Sequence, residues 1–143
     1  MKRNDILVAM SESNSLNDPP QRLLPVLERI KQSYLLWHTY HAELPKLHRY
    51  SLGARIDTLF IEIIEAVSAA AFLSREEKLP YVRLATRKVD ALKLLCMILW
   101  ETKSLETRRY IALSEVLGEV GKMLGGWNGQ LLKNSSPPKR GEK

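Results

Sequence analysis

Four stretches of this chain carry apolar residues at spacings of three and four, and the breaks between them leave room only for tight connections. Leu23, Leu27, Ile30, Tyr34, Trp37 and His41 form the first stripe; Leu52, Ile56, Leu59, Ile63 and Val67 the second. Leu84 or Ala85, then Val89, Leu92, Leu95, Cys96 and Leu99 form the third, and Tyr110, Leu113, Leu117, Val120 and Leu124 the fourth. That spacing places each set on one side of an amphipathic helix, while no alternating pattern of period two persists anywhere. Short connections force successive helices to run antiparallel, so the expected fold is all-α, a single up-down-up-down four-helix bundle. With 143 residues, such a bundle can bury a core without disulfides.

Punctuation residues set the expected boundaries. Residues 1–17 lack sustained periodicity and are expected to form a flexible arm, with the bundle at 18–130 and a basic tail at 131–143. Asp18-Pro19-Pro20-Gln21 has the residue types of a helix N-terminus, although Pro25 either starts the first helix or bends it. Pro45 ends that helix, and Leu44 to Tyr50 is a connection leading to Ser51 as N-cap of the second. Ser74 to Pro80 reads as a charged turn, with the third helix starting at or just before Pro80. A break at Ser104 to Thr107 precedes the fourth helix, and Gly125-Gly126 supply its expected stop. Gly118 and Gly121 inside that helix each cost about 1 kcal/mol relative to alanine, which close helix approach would explain.

Two segments are apolar over more of their circumference than one bundle core requires. Leu94 through Trp100 is apolar for seven residues in succession, and Leu59 to Ile64 is interrupted only by Glu62. A helix apolar nearly all round must be covered on more than one side, which predicts a helix-packed homo-oligomer.

Residue chemistry argues against an enzyme. Glu62 and Glu65 have the i, i+3 spacing of a carboxylate bundle site but lack a matching histidine, since all three histidines fall between residues 38 and 48. His38 and His41 share a helix face without a set of further ligands to complete a metal site. Gly118-Glu119-Val120-Gly121-Lys122 has the wrong spacing for a phosphate loop and lies within a helical pattern. No serine elbow occurs, Cys96 has no base beside it, and no cofactor motif is present. A single cysteine fits a reducing cytoplasm. Ile6 to Met10 is too short for a signal-peptide core and no run is long enough to span a bilayer, so no membrane role is expected.

Charge leaves binding as the open possibility. The chain carries 22 Lys and Arg against 16 Asp and Glu, a formal net charge of +6. Arg75, Lys78, Arg83, Arg87, Lys88 and Lys93 crowd the start of the third helix, opposed locally by Glu76, Glu77 and Asp90. Arg83 and Arg87 are four apart, so their guanidiniums are neighbours on one face and suited to phosphate. Lys46, His48, Arg49 and Arg55 form a second patch at the entrance to helix two. From the residues, polyanion binding and a solvated face of intrahelical ion pairs stand equal.

Two motifs carry a family resemblance. Pro45-Lys46-Leu47-His48-Arg49-Tyr50-Ser51-Leu52-Gly53-Ala54-Arg55-Ile56 resembles a Pro-Arg/Lys-x-x-Arg-x-Thr/Ser-Leu-Gly-x-Arg-Ile signature entering a helix. Glu119-Val120-Gly121-Lys122-Met123-Leu124-Gly125-Gly126-Trp127 resembles a Glu-x-Gly-Arg/Lys-x-Leu-Gly-Gly-Trp ending. Both occur, in this order, in the accessory variability determinant proteins of diversity-generating retroelements and their stand-alone relatives. The four-helix proteins encoded in ribosomal RNA intervening sequences share much of the layout. The resemblance covers roughly residues 21 to 130. It implies a homopentamer with a basic exterior that binds RNA or DNA and the retroelement's reverse transcriptase, supporting mutagenic cDNA synthesis. On that basis Arg83, Arg87, Lys88 and Lys93 are expected nucleic-acid contacts, and the first signature adds Lys46, Arg49 and Arg55. The chain departs from the family in the latter half of helix three, where the family often carries arginine and this chain is mostly apolar.

Overall fold

The computed structural model describes residues 23–135, and all regular structure among them is helical. Four long helices, α1 (Leu23–Ala42), α3 (Leu52–Ala71), α4 (Arg75–Glu101) and α5 (Thr107–Ser135), are joined by tight connections. The first connection contains a one-turn helix, α2 (Lys46–Arg49). In the ring of packed neighbours, α3 lies against α4, α4 against α5, α5 against α1 and α1 against α3. One core runs through all four, with Trp37, Phe60, Leu92 and Leu113 among its fully buried side chains. The arm at 1–17 and the Asp18 cap lie outside the described residues, as does the tail beyond residue 135.

The stripes bury as the spacing predicts: Ile56, Leu59, Ile63 and Val67 in α3, Ala85, Val89, Leu92, Cys96 and Leu99 in α4, and Leu113, Leu117, Val120 and Leu124 in α5. In α1 the buried line is Val26, Ile30, Ser33 and Trp37, with Leu27 and Tyr34 on its margin, and Leu44 is buried just past the helix end. Ser33 is tolerated there because its hydroxyl donates back to the carbonyls of Arg29 and Ile30, at 2.8 and 3.1 Å.

Several helix ends differ from expectation, each for a local reason. Pro25 lies within α1, helical on both sides. Ser51 occupies the N-cap position of α3, but its hydroxyl donates to the Leu47 carbonyl and makes no capping bond. Helix α4 begins at Arg75, not near Pro80, because Ser74 and Glu77 form a capping box there, the Ser74 amide donating to Glu77 Oε1 at 3.4 Å. Pro80 is accommodated one turn further on, where its missing N–H deprives only the carbonyl of the exposed Glu76. Helix α5 continues through Gly125 and Gly126 to Ser135, so residues 131–135 are helix rather than tail. Trp127 and Leu131 extend its buried stripe by two further turns, and their burial outweighs the roughly 1 kcal/mol that each glycine costs.

Candidate nucleic-acid interface

The seven basic residues expected to contact nucleic acid do not form one surface. Along α4, the side facing the core is marked by Val82, Ala85, Val89 and Leu92. At 100° per residue, Arg83 and Arg87 fall on the opposite, outward side, and both are exposed. Neither makes an ion pair among the described residues. Their i, i+4 spacing sets the two guanidiniums one above the other.

Lys88 and Lys93 leave that face in opposite directions. Lys88 turns toward α3, where Nζ donates to Glu62 Oε1 at 2.9 Å with the lysine side chain only 23% exposed. That hydrogen bond, together with the positive charge of Lys88, holds the Glu62 carboxyl below the ordinary range against the opposing effect of burial. Lys93 turns toward α5 and lies across Gly121, with Nζ 2.9 Å from the point a Cβ there would occupy. The close neighbour of Gly121 is therefore the far end of a flexible lysine side chain, not a packed helix backbone. Among the described residues nothing lies within 4 Å of a Cβ placed at Gly118, so they give that glycine no packing reason.

The second patch divides in the same way. Arg49 is a structural residue: Nε and Nη2 both donate to the Leu44 carbonyl, at 3.0 and 2.8 Å, clamping the turn that follows α1. Its own carbonyl accepts from His41 Nε2 at 3.0 Å. The ring of His41 stacks on Trp37 with centroids 5.0 Å apart, and its Nδ1 lies 3.9 Å from Asp57. Gly53 completes this corner. A Cβ there would come within 2.9 Å of Leu44 Cδ1 and 3.0 Å of both His41 Cδ2 and the His48 carbonyl. The first signature thus holds a helix corner together, and of its three cationic members only Lys46 and Arg55 are exposed to meet a ligand. Arg55 stands 3.9 Å from Glu62, a weak and exposed pair.

Other charged residues, not foreseen as structural, hold the bundle together. Arg109 pairs with Glu43 at 2.6 Å and lies over the Tyr40 ring at 4.9 Å, and Arg29 bridges α1 to Glu119 of α5 at 3.1 Å. Lys78 is buried; its Nζ donates to the carbonyls of Ala70 and Ala71 and so caps the end of α3, while burial lowers its pKa. These partners are distant in sequence, and only the i, i+4 pattern within a helix could have signalled a pairing.

An apolar strip continues the arginine face. Ala91 and Leu94 are exposed and Leu95 and Ile98 half-buried on the second half of α4, Leu94 retaining 52% of its surface. Within the same apolar run, Cys96 and Leu99 point into the core, and Trp100 stacks on Tyr110 at 4.9 Å. Burial pushes the Cys96 thiol up to about 12.

Histidine chemistry is committed elsewhere: besides His41, His48 Nδ1 meets Ser104 Oγ at 2.6 Å. Among the described residues no group of three or more His, Cys, Asp and Glu could hold a metal ion, and no helix is long and apolar enough to cross a membrane. Comparison with protein-family models, with curated proteins and with solved structures finds no match.

Proposed function

We propose that this chain is a non-catalytic, oligomeric scaffold that binds nucleic acid through phosphate contacts. In the form implied by its resemblance to the accessory variability determinant proteins, it is a cytoplasmic homopentamer that assists the reverse transcriptase of a diversity-generating retroelement. The observation that carries the binding half is the Arg83–Arg87 pair: two adjacent guanidiniums, exposed and without ion pairs among the described residues, on a chain of net charge +6. Arginine forks match phosphate oxygens bidentately, and repeating the pair on several subunits multiplies a weak contact into avidity. Lys46 and Arg55 supply further exposed charge near the start of α3. Support for assembly comes from Ala91, Leu94, Leu95 and Ile98, which a second copy would cover.

The competing reading is an oligomer with no nucleic-acid ligand. Favouring it, Arg49 and Lys88 are spent on internal contacts and Lys93 lies across α5. Fluorescence anisotropy with structured RNA and duplex DNA, at low and physiological salt, separates the two. Binding that weakens steeply with salt and collapses in Arg83→Glu/Arg87→Glu supports the scaffold. Absence of binding at low salt removes nucleic acid and leaves the protein-interaction oligomer. Light scattering tests assembly separately: the mass of one chain at moderate salt would reject the pentamer.

A further inference from the structure

The corner between α1 and α3 exposes two large apolar side chains together. Leu47 keeps 78% of its surface open and Tyr50 72%. They are three residues apart on one turn of chain, so they share a face. Tyr50 is nonetheless held in place. The Arg49 guanidinium lies over its ring, 5.9 Å from the centroid, and is itself fixed by its two hydrogen bonds to the Leu44 carbonyl. A ring backed by a cation on one side and still this exposed offers its other face to solvent.

Charge around the ring is of one sign. Residues 44–56 contain Lys46, Arg49 and Arg55 and no Asp or Glu. The nearby carboxylates are engaged elsewhere. Glu43 pairs with Arg109, Asp57 faces His41 Nδ1, and Glu62, 3.9 Å from Arg55, accepts the closer bond from Lys88. Across the same pole Glu101 and Glu106 ring a separate hollow with Lys103, beside Trp100. Phe72, the other large ring left this open, stands at the opposite pole, where Glu76 and Glu77 follow it and no cation covers its face among the described residues.

We propose that Tyr50 is a stacking platform for an unpaired base, and that the chain's ligand is therefore single-stranded nucleic acid. The inference rests on the nucleic-acid reading above and adds what phosphate contacts on α4 cannot supply, a means of telling an unpaired strand from a duplex. A base laid on the open face of Tyr50 completes a stack of base, tyrosine and guanidinium. Bases inside a duplex have both faces covered and cannot enter it. Lys46 and Arg55, exposed on either side of Tyr50 in the chain, meet the phosphates that flank the stacked base. Leu47 adds apolar contact beside the ring. Because Arg49 fixes the ring before the ligand arrives, stacking costs little side-chain entropy.

The test measures binding of the full chain at low salt, by fluorescence anisotropy, to labelled oligo(dA), to an abasic strand of the same length, and to oligo(dA) annealed to its complement. The two single strands carry the same phosphates and differ only in their bases. The parent chain is expected to bind oligo(dA) at least about fivefold more tightly than the abasic strand, the lower end of what stacking one base gives. Tyr50→Ala is expected to erase that preference while leaving the melting temperature and the affinities for the abasic strand and the duplex unchanged. Tyr50→Trp is expected to keep it. No binding to any strand would overturn the proposed function and this inference together. Binding to all three without a preference for bases, a preference that survives Tyr50→Ala, or an equal loss on the duplex would overturn this inference alone. Tyr50-dependent retention on phosphatidylserine vesicles without a base preference would assign the patch to a membrane surface and overturn it as well.

Discussion

His48 and Ser104 are 56 residues apart in sequence, and His48 Nδ1 stands 2.6 Å from Ser104 Oγ. The contact joins the α1–α3 connection to the α4–α5 connection, which share one end of the bundle only if the helices alternate in direction. His48→Ala is expected to cost about 1 kcal/mol, the usual net value of one hydrogen bond. A double-mutant cycle with Ser104→Ala, followed by denaturant melts, checks it. Additive losses would mean that the two connections are independent.

Gly53 and Gly118 are predicted to respond oppositely to alanine. At Gly53 a methyl group collides with Leu44, His41 and the backbone of His48, so Gly53→Ala should destabilise by about 1–3 kcal/mol. At Gly118 a methyl group meets nothing among the described residues, and Gly118→Ala should stabilise by about 1 kcal/mol through helix propensity. Thermal melts of both variants decide this, with loss of stability at both positions contradicting the packing described.

Arg49 and Arg87 separate structure from binding. Arg49→Ala removes two charge-assisted hydrogen bonds to the Leu44 carbonyl, with an expected loss of about 1–3 kcal/mol of stability. The salt dependence of RNA binding by the folded fraction should be unchanged. Arg87→Ala should leave the melting temperature within a degree or so, as surface substitutions away from packed features do. It should also reduce the salt slope by about one unit for each phosphate that the guanidinium neutralises in the parent chain. Reversed phenotypes would transfer the binding role to the corner.

Glu62 predicts the acid side of the stability profile. Its pKa is lowered in the folded state by the hydrogen bond from Lys88 Nζ, so the unfolded chain binds the proton more readily. Its contribution is complete above the ordinary carboxylate pKa, near 4.3, and is lost as pH falls through the lower folded value. The pair is partly exposed, which limits its worth to less than about 1 kcal/mol. Urea melts from pH 7 to 3 should show a shallower acid decline for Glu62→Gln than for the parent chain.

Cys96 should be inert while the bundle is folded. The thiol is buried and its pKa is raised to about 12, so almost no thiolate forms at pH 8. Labelling by a disulfide reagent should proceed only as fast as the protein opens, and at once in denaturant. Rapid labelling of native protein would show that α4 does not stay packed.

Legibility in the sequence followed the range of the interactions involved. Stripes of spacing three and four are local, and they located the helices and nearly all of the α3, α4 and α5 core. The signals that misled were local ones overruled by packing. Gly125 and Gly126 look like a stop until Trp127 and Leu131 are seen to be buried beyond them. Pro80 looks like a start until the Ser74–Glu77 box is placed one turn earlier. The basic cluster was readable as charge but not as surface. Whether Lys88 faces water or Glu62, 26 residues away in sequence, depends on the register between α3 and α4. Arg83 and Arg87 were placed correctly by spacing alone because their surroundings are solvent.

The corner clamps have a mechanical consequence. Arg49–Leu44, His48–Ser104 and Arg109–Glu43 all bind one pole of the bundle, whereas the other carries the turn at 72–74 together with the ends of α1 and α5. Thermal breathing should therefore be lopsided, with α1 and α5 splaying where α1 starts and α5 ends, while the Lys78 cap keeps α3 and α4 joined there and the clamped pole acts as a hinge. A reporter attached at the start of α1 or the end of α5 would sit on the yielding pole and leave the rigid one clear.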